Sequence, residues 1–336
     1  MTDMRRLAML TARLLAALLL LALAAWLVGL RALLEQLRRV DPLWFALAVI
    51  VVAASQWIST SRWISIARVL GLKSRARDMR LAYAQGMAIN VVLPGATLGG
   101  DTWRSVRLRQ LGNPLGESAL SVLLDRASGL WILCLLSMCT GLGLVLSGQL
   151  DGVQLPAAAG HLDARSIAWA YLGALSAALA LPFLPLRVPI AGASAAAGSS
   201  RWLSRLAQLH ELTIARGRPL AGSLWTSLMV QVLCALALWL CQIAAGGAAG
   251  YLAVQAIAAP VFIAGVLPLS YGGFGARELV ALLVFPLVGV DAQTAVTAGA
   301  LYGVSGVLLG LAAAPLLVLR SSSGDGDRGG PPVRSL

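Results

Sequence analysis

The chain has 336 residues, of which 59% are hydrophobic and 12% charged, and its mean hydropathy is +0.82. Apolar runs of about 20 residues recur along it, the length that crosses the hydrocarbon core of a bilayer, so an ordinary soluble domain is excluded. The formal net charge of +12 comes from arginines clustered between the apolar runs, a pattern typical of cytoplasmic loops and anionic lipid contact. The sequence therefore predicts an all-α polytopic membrane protein with no nucleic-acid partner.

The cysteines and histidines give no sign of a metal site or a disulfide framework. The four cysteines lie within apolar runs and form no C-x-x-C pair, and His161 and His210 lie far apart in predicted loops. Metal sites and disulfide-stapled domains need such residues at close, defined spacings. We therefore expect no metal, no cofactor and no disulfide.

Six apolar runs are long enough to cross a bilayer as helices. In chain order they cover residues 7–30, 43–66, 118–147, 166–186, 221–245 and 292–319. The first run follows Arg5 and Arg6 as a secretory signal would, but it is about 24 residues long and has no clean cleavage site. We interpret it as a retained first span.

Two further apolar segments, 81–93 and 251–267, are too short to span and are followed by a proline and glycines. As a helix, the first would rise only about 20 Å, less than the roughly 30 Å of the hydrocarbon core. Each segment leads through a glycine-rich stretch into a return that contains arginine. We therefore predict two re-entrant hairpins, over residues 81–112 and 251–290.

The two hairpin tips share a sequence pattern. "LPGATLGGDTWR" (93–104) and "LPLSYGGFGAR" (267–277) both contain Leu-Pro, a short spacer, Gly-Gly, three residues and Arg. Gly-Gly permits close backbone approach and proline frees a carbonyl, so each tip is predicted to present bare backbone that is buried in protein or lines a cavity. The predicted tip residues are Pro94, Gly99, Gly100, Pro268, Gly272 and Gly273.

The distribution of arginine predicts the orientation, because cytoplasmic loops carry an excess of positive charge. Loops 67–80 and 187–218 are the richest and are placed inside, whereas 148–165 and 246–250 are placed outside. Loop 31–41 also contains arginines, yet this orientation places it outside, contrary to the rule that positive charge lies inside. With this orientation both termini are cytoplasmic, and the two hairpins enter the membrane from opposite sides.

This arrangement divides the chain into two halves of opposite topology. The halves, about 1–165 and 166–320, form one integral membrane domain with an inverted repeat, in which broken helices build a binding site near the bilayer midplane. Residues 321–336 have the composition of a disordered cytoplasmic tail. The apolar spacing of 201–215 favours a helix on the inner membrane surface.

Charged residues beside the tips are the first candidate substrate-binding groups, since each is costly in lipid unless it is paired or hydrated. Asp101 and Arg104 lie on the first hairpin, and Arg277 and Glu278 lie on the second. Either these charges form salt bridges that lock the two tips together, or the guanidinium groups bind a phosphate bidentately at a polar pathway.

Other candidate residues each have a structural alternative. Asp125 and Arg126 lie within about two turns of the cytoplasmic start of their helix, where they could instead sit at the headgroup level. Arg62 could extend its charge to the inner interface. Asn90 could cap freed backbone or line the cavity. Several tryptophans near predicted interfaces are interpreted as interfacial anchors, among them Trp44, Trp63, Trp202 and Trp225.

Three motifs, "NVVLPGATLGGDTWR", "SVLLDRASGLW" and "LPLSYGGFGARE", occur in this order within this hydropathy. Together they resemble the lysylphosphatidylglycerol synthase transmembrane family, a flippase-like integral membrane domain. The resemblance covers roughly residues 10 to 320 and implies translocation or handling of lipids. The matching motif positions are Gly99, Gly100, Asp101, Arg104, Asp125, Arg126, Gly272, Gly273, Arg277 and Glu278. We do not expect the synthase activity to carry over from the family, because the sequence shows no soluble aminoacyl-transferring domain after residue 320.

These observations leave three functional hypotheses. The first is a flippase-like protein of the bacterial inner membrane that passes a phospholipid or a polyprenyl-phosphate-linked lipid, with an anionic headgroup, through a polar cavity. The second is a membrane-embedded enzyme that uses Asp101, Asp125 or Glu278 as acid or base on a headgroup, although no nucleophile–histidine pair supports it. The third is a non-catalytic subunit whose segment 201–215 recruits a lipid-modifying enzyme.

Overall fold

The computed structural model describes residues 35–36, 38–92, 98–149, 163–180, 217–266 and 274–318, and within them it contains helices and no strand. The first half contains α1 (Pro42–Val69), α2 (Ala76–Val92), α3 (Leu98–Gln110) and α4 (Leu115–Leu146). The second half contains α5 (Ala164–Ala180), α6 (Gly217–Ala244), α7 (Tyr251–Val266), α8 (Ala276–Val284) and α9 (Ala292–Ala313). Short 3₁₀ turns follow α8 (Phe285–Val288) and α9 (Ala314–Val318).

Within the described residues, four helices are long and apolar enough to cross a membrane. They are Pro42–Val69, Leu115–Leu146, Gly222–Ala244 and Ala292–Val318, in close agreement with four of the predicted spans. The prediction of a polytopic all-α membrane protein is therefore confirmed. Helix α5 covers most of the predicted span 166–186, whereas span 7–30, segment 201–215 and tail 321–336 lie outside the described residues.

Helix α2 begins inside the arginine-rich stretch 67–80, which the sequence predicts as a loop. Helix α1 continues to Val69 and α2 starts at Ala76, so the loop is much shorter. Asp78 lies in the first turn of α2, where a carboxylate interacts favourably with the helix dipole. Met79 is fully buried while Arg80 is exposed, so this polar stretch folds as an amphipathic first turn.

One end of the bundle contains both ends of the first predicted hairpin. The side chain of Asn113, just after α3, accepts a hydrogen bond from the backbone N–H of Lys73 at 2.7 Å. It also donates to Ser74 Oγ at 2.8 Å, just before α2. Helices α2 and α3 therefore begin and end on the same side of the molecule, with the predicted tip between them.

The second predicted hairpin begins and ends at the opposite end. The N–H of Asp41, before α1, donates to the carbonyl of Ala244 at the end of α6 at 2.9 Å. The indole N–H of Trp239 donates to the carbonyl of Ala249 at 2.9 Å, which holds the start of α7 there. Thr294, in the first turn of α9, donates to the Ala245 carbonyl at 3.4 Å. Helices α7 and α8 therefore enter and leave at this end.

The helices of the two halves pack in corresponding pairs. Helix α2 packs on α3 and α3 on α4, as α7 packs on α8 and α8 on α9. Between the halves, α2 packs on α9 as α7 packs on α4, and α1 packs on α9 as α6 packs on α4. Helices α1 and α6 pack on each other. Exchanging the two halves therefore reproduces this pattern of helix packing.

Helix α7 contains an internal proline, and side chains of neighbouring helices form hydrogen bonds with the backbone groups around it. Pro260 has no N–H for the Ala256 carbonyl, and the hydroxyl of Tyr171 in α5 donates to that carbonyl at 2.9 Å. Ser137 of α4 donates to the Gln255 carbonyl at 2.9 Å and accepts from the Ala259 N–H at 3.2 Å. Backbone groups satisfied in this way allow a proline within an apolar helix.

Two of the apolar clusters in the core are the largest. The first joins α1, α6, α7, α8 and α9, with Leu238 and Phe285 fully buried at its centre. The second surrounds the α2–α3 pair and contains Trp63, Met79 and Leu108, each with no exposed surface. The polar residues described next lie beside this second cluster.

Candidate functional site

Asp125 of α4 is the centre of a buried ionic cluster. Arg62 Nε of α1 donates to Asp125 Oδ1 at 2.8 Å, and Arg104 Nη2 of α3 donates to Asp125 Oδ2 at 2.9 Å. The three side chains are 2%, 6% and 3% exposed, respectively. Each carboxylate oxygen thus accepts a charged hydrogen bond, which is the geometry that makes a buried carboxylate tolerable.

The guanidinium group of Arg104 is held between aromatic rings. Its Cζ lies 4.2 Å from the ring centroid of Trp63 and 4.6 Å from that of Tyr83, both within the range of cation–π contact. The Trp63 indole N–H is itself fixed by donating to Ser121 Oγ at 3.1 Å. Trp63 is fully buried, so its interpretation as an interfacial anchor is wrong.

Arg62 is buried and does not extend to an interface. Besides its bond to Asp125, its Nη1 donates to Ser227 Oγ of α6 at 3.1 Å, so it joins α1, α4 and α6. The side chain is directed into the bundle because a carboxylate there offers stronger interaction than the apolar helix surface. The alternative of an arginine that reaches for the headgroup region is not found.

Arg126 follows Asp125 in sequence but has a different partner. Its Nε and Nη2 donate to the two carboxylate oxygens of Asp101 at 2.9 and 2.8 Å, a bidentate pair. Arg104 Nη1 lies 3.4 Å from Asp101 Oδ1 and connects this pair to the buried cluster. The Arg126 side chain is 40% exposed, whereas that of Asp101 is 16% exposed.

Together these residues form one connected series, which we call the ion-pair chain: Arg62, Asp125, Arg104, Asp101 and Arg126. Three guanidinium groups face two carboxylates, so the formal charge of the chain is +1. One end is buried between α1, α4 and α6, and the other is half-exposed at Arg126. The Nε of Arg104 has no hydrogen-bond acceptor among the described residues. The series therefore has one more cationic group than anionic groups and one donor that no described residue accepts from.

The start of α3 is fixed by a side-chain cap and a close backbone contact. The Gly100 N–H donates to Asn90 Oδ1 at 2.7 Å, so Asn90 satisfies backbone freed at the tip, one of its two predicted roles. A Cβ on Gly100 would overlap the carbonyl oxygen of Gly86 on α2. Gly99 lies in the same first turn and is half-buried, while Pro94 lies outside the described residues.

Arg277 of α8 is buried in a slot made by glycines. An ideal Cβ on Gly265 of α7 would lie 2.9 Å from its Nη2, and one on Gly303 of α9 would overlap its Nη1. Its Cζ also lies 5.9 Å from the ring centroid of Phe274 and 5.6 Å from that of Tyr302. The flat guanidinium group fits where any side chain on either glycine would collide with it.

Glu278 is fully buried and caps its own helix. One carboxylate oxygen accepts a hydrogen bond from the Gly275 N–H, and Gly275 has φ +87°, which favours glycine. Among the described residues, no ion pair joins Asp101 or Arg104 to Arg277 or Glu278. The alternative of a salt bridge between the two hairpins is therefore not found among the described residues, because the first hairpin's charges pair within their own half.

Three predicted tip residues of the second hairpin, Pro268, Gly272 and Gly273, lie outside the described residues. Among the residues that the structure does describe, no three histidine, cysteine or acidic side chains group as metal ligands. The partners that sequence reasoning missed are Trp63, Tyr83 and Ser227. They lie on other helices than the charges that they contact, so no spacing in the sequence indicates them.

A family model described as the lysylphosphatidylglycerol synthase TM region matches residues 10–314. The matched range includes every residue of the ion-pair chain and both predicted hairpins. No match to a curated protein was found.

Proposed function

Because the chain belongs to the lysylphosphatidylglycerol synthase TM region family, we propose that it translocates a phosphate-bearing lipid. The substrate is a phospholipid or a polyprenyl-phosphate-linked lipid of the bacterial inner membrane. Its headgroup passes through a polar path beside the hairpins while its acyl chains remain in the bilayer. No aminoacyl transfer is part of this proposal.

The observation that supports it is the ion-pair chain. Burial of the Arg62 and Arg104 guanidinium groups with the Asp125 carboxylate is costly in a membrane protein, and intramembrane charges of this kind mark substrate pathways. The excess positive charge and the free N–H of Arg104 favour an anionic ligand. A cluster that only stabilised the fold would need neither an excess of positive charge nor a donor without an acceptor.

Arg126 is the group that a phosphate would meet first, since its side chain is the most exposed of the chain. Its two-donor fork, now on Asp101, matches a phosphate as well as a carboxylate. Exchange of the Asp101 carboxylate for a headgroup phosphate would keep the number of charged hydrogen bonds nearly constant. A headgroup can then move inward without leaving a buried arginine unpaired.

The proposal includes an inverted repeat with two re-entrant hairpins and both termini in the cytoplasm. The corresponding helix packing of the two halves supports it, as does the placement of the α2–α3 and α7–α8 ends at opposite ends of the bundle. In such repeats the substrate site lies between the halves, near the bilayer midplane.

Cysteine labelling tests this topology. In a cysteine-free background, Lys73→Cys is expected to react only with reagent on the cytoplasmic side, because it lies in the arginine-rich turn before α2. Gly250→Cys, before α7, is expected to react only from the outside, and a side chain there meets no neighbour within 4 Å. Reaction of both positions from one side would contradict the opposite topology of the halves.

Arg126→Lys tests the function. In liposomes containing the purified protein, transport of phosphate-bearing lipids is expected to fall at least about tenfold, because an ammonium cannot reproduce the planar fork and one charged hydrogen bond contributes roughly 1.5–3 kcal/mol. Headgroup exposure measured for several lipids gives the rate and the preferred substrate. Arg109→Lys, an exposed arginine at the end of α3, is the matched control. Full transport by Arg126→Lys would reject the proposed role.

The same liposomes separate the competing functions. An enzyme acting on headgroups would convert them without an added protein, and a recruiting subunit would show neither transport nor conversion but would co-purify with a soluble enzyme. The geometry favours transport, because both oxygens of Asp125 and both of Asp101 accept from guanidinium groups and Glu278 accepts from a backbone N–H. None of the three carboxylates is placed to exchange protons with a headgroup in this conformation.

A further inference from the structure

A groove of about 570 Å³ lies between α1, α2 and the end of α9, outside the ion-pair chain. Its volume is within the range of about 300–1,000 Å³ found for ligand sites in proteins. Most of its wall is apolar and comes from three parts of the chain, with Ala53 on α1, Ala84 and Met87 on α2, Leu309 near the end of α9 and Leu316 in the 3₁₀ turn that follows it. Such a wall fits a hydrocarbon chain.

The α2 end of the groove is basic. Arg77 and Arg80 line it from the first turns of α2 and are exposed, with Asp78 between them in sequence. The Arg80 Cζ lies 5.6 Å from the ring centroid of Trp57, which also lines the groove and is 65% exposed. Two guanidinium groups against one carboxylate give this end a net positive charge, on the side predicted to be cytoplasmic.

The groove also borders the ion-pair chain. Tyr83 lines the groove, and its hydroxyl donates to Gln56 Oε1, another lining residue, at 3.0 Å. The guanidinium group of Arg104 lies 4.6 Å from the centroid of the same Tyr83 ring. One aromatic ring therefore contacts both the groove and the proposed headgroup path.

We propose that this groove binds an anionic phospholipid, with an acyl chain along the apolar wall and the phosphate on Arg77 and Arg80. This inference rests on the proposed function. The groove is the site at which a lipid enters the transport path from the cytoplasmic leaflet. Basic pockets between membrane helices on that side recognise anionic headgroups in this way. The apolar wall accepts any acyl chain, and the two arginines provide the selectivity.

Quenching of Trp57 fluorescence by lipids with brominated acyl chains tests the proposal in vesicles containing the full chain. The difference between the wild type and Trp57→Phe isolates the Trp57 signal among the ten tryptophans. Brominated phosphatidylglycerol, diluted in phosphatidylcholine, is expected to quench Trp57 much more than its mole fraction in the bilayer predicts. Brominated phosphatidylcholine, diluted in phosphatidylglycerol, is expected to quench Trp57 less than its mole fraction predicts.

The double variant Arg77→Gln/Arg80→Gln is expected to lose this preference by about tenfold, since each basic residue near the surface contributes substantially to anionic lipid attraction. Quenching by phosphatidylcholine should remain, because the apolar wall is unchanged. Arg107→Gln/Arg109→Gln makes the same charge change on α3 and should keep the preference. A second variant, Ala84→Leu, fills the groove and should reduce quenching by both lipids.

An unchanged preference in Arg77→Gln/Arg80→Gln, or an equal loss in Arg107→Gln/Arg109→Gln, would overturn the proposal. So would undiminished quenching in Ala84→Leu. Failure of the proposed function is distinguishable. If phosphatidylglycerol is preferred at Trp57 in the wild type but no lipid is transported, the proposed binding site is supported and the proposed translocation is rejected. If Arg126→Lys abolishes transport while Trp57 shows no preference, translocation stands and the groove is not its loading site.

Discussion

Asp125→Asn is expected to lower the free energy of unfolding by about 3–5 kcal/mol, because it leaves two buried guanidinium groups without their anion. Arg62 and Arg104 both depend on this carboxylate, and both are almost fully buried. The neutral amide keeps the volume of the carboxyl group, so no cavity is formed. Denaturant titration of the protein in detergent measures the loss in the free energy of unfolding.

Asp101→Asn is the matched control for this change. It removes the same charge from a carboxylate whose main partner, Arg126, is 40% exposed and can be hydrated, so its cost is expected to be smaller. Arg62→Gln combined with Asp125→Asn should cost less than the sum of the single changes, since the two residues share one interaction. Strict additivity, or equal losses for Asp101→Asn and Asp125→Asn, would contradict the central position of Asp125.

Gly100→Ala is expected to destabilise the protein by about 1–3 kcal/mol and to stop transport, because its Cβ has no room between α2 and α3. An ideal Cβ there would overlap the carbonyl oxygen of Gly86 and lie 2.7 Å from Asn90 Oδ1. The two helices would have to separate, which would break the cap and displace Arg104. Thermal unfolding and headgroup exposure in liposomes measure the two effects.

Gly143→Ala provides the comparison within the same protein. Gly143 lies in α4 with no atom within 4 Å of an ideal Cβ, so alanine there should leave transport unchanged and add slightly to helix stability. If both alanine variants behaved alike, Gly100 would be an ordinary helix position. The close approach of α2 and α3 would then have no functional importance.

Sequence reasoning predicted well those features of the fold that depend on residues close together in the chain, namely where the long helices begin and end. Apolar runs of spanning length became α1, α4, α6 and α9, because hydrocarbon requires a continuous helix of that length. The described ends of α2 at Val92 and of α7 at Val266 lie close to the prolines and glycines from which the sequence predicts an interruption. The start of α2 at Ala76 was missed, because a turn with several arginines has the composition of a loop although one face is buried.

The candidate charges were also identifiable in the sequence, since charged residues are rare in apolar segments. Their partners were not. Arg62 and Asp125 are separated by 63 positions, and hydropathy does not say which face of α1 meets α4. Arg277 and Glu278 are adjacent and of opposite charge, yet neighbouring positions on a helix point in different directions. The structure places one among glycines and aromatic rings and the other on a backbone N–H.

The sequence by itself determined the all-α membrane class, the positions of the long helices, the ends of α2 and α7 near proline and glycine, and the charges that required compensation. Each follows from short-range constraints, namely helix length against bilayer thickness, the missing N–H of proline and the cost of a charge in lipid. Only the tertiary structure decided that Asp125 joins Arg62 to Arg104, that Tyr83 lies between Arg104 and an apolar groove, and that Gly303 makes room for Arg277. These contacts depend on how helices far apart in the chain rotate and pack, and that is set by the fit of all their side chains together.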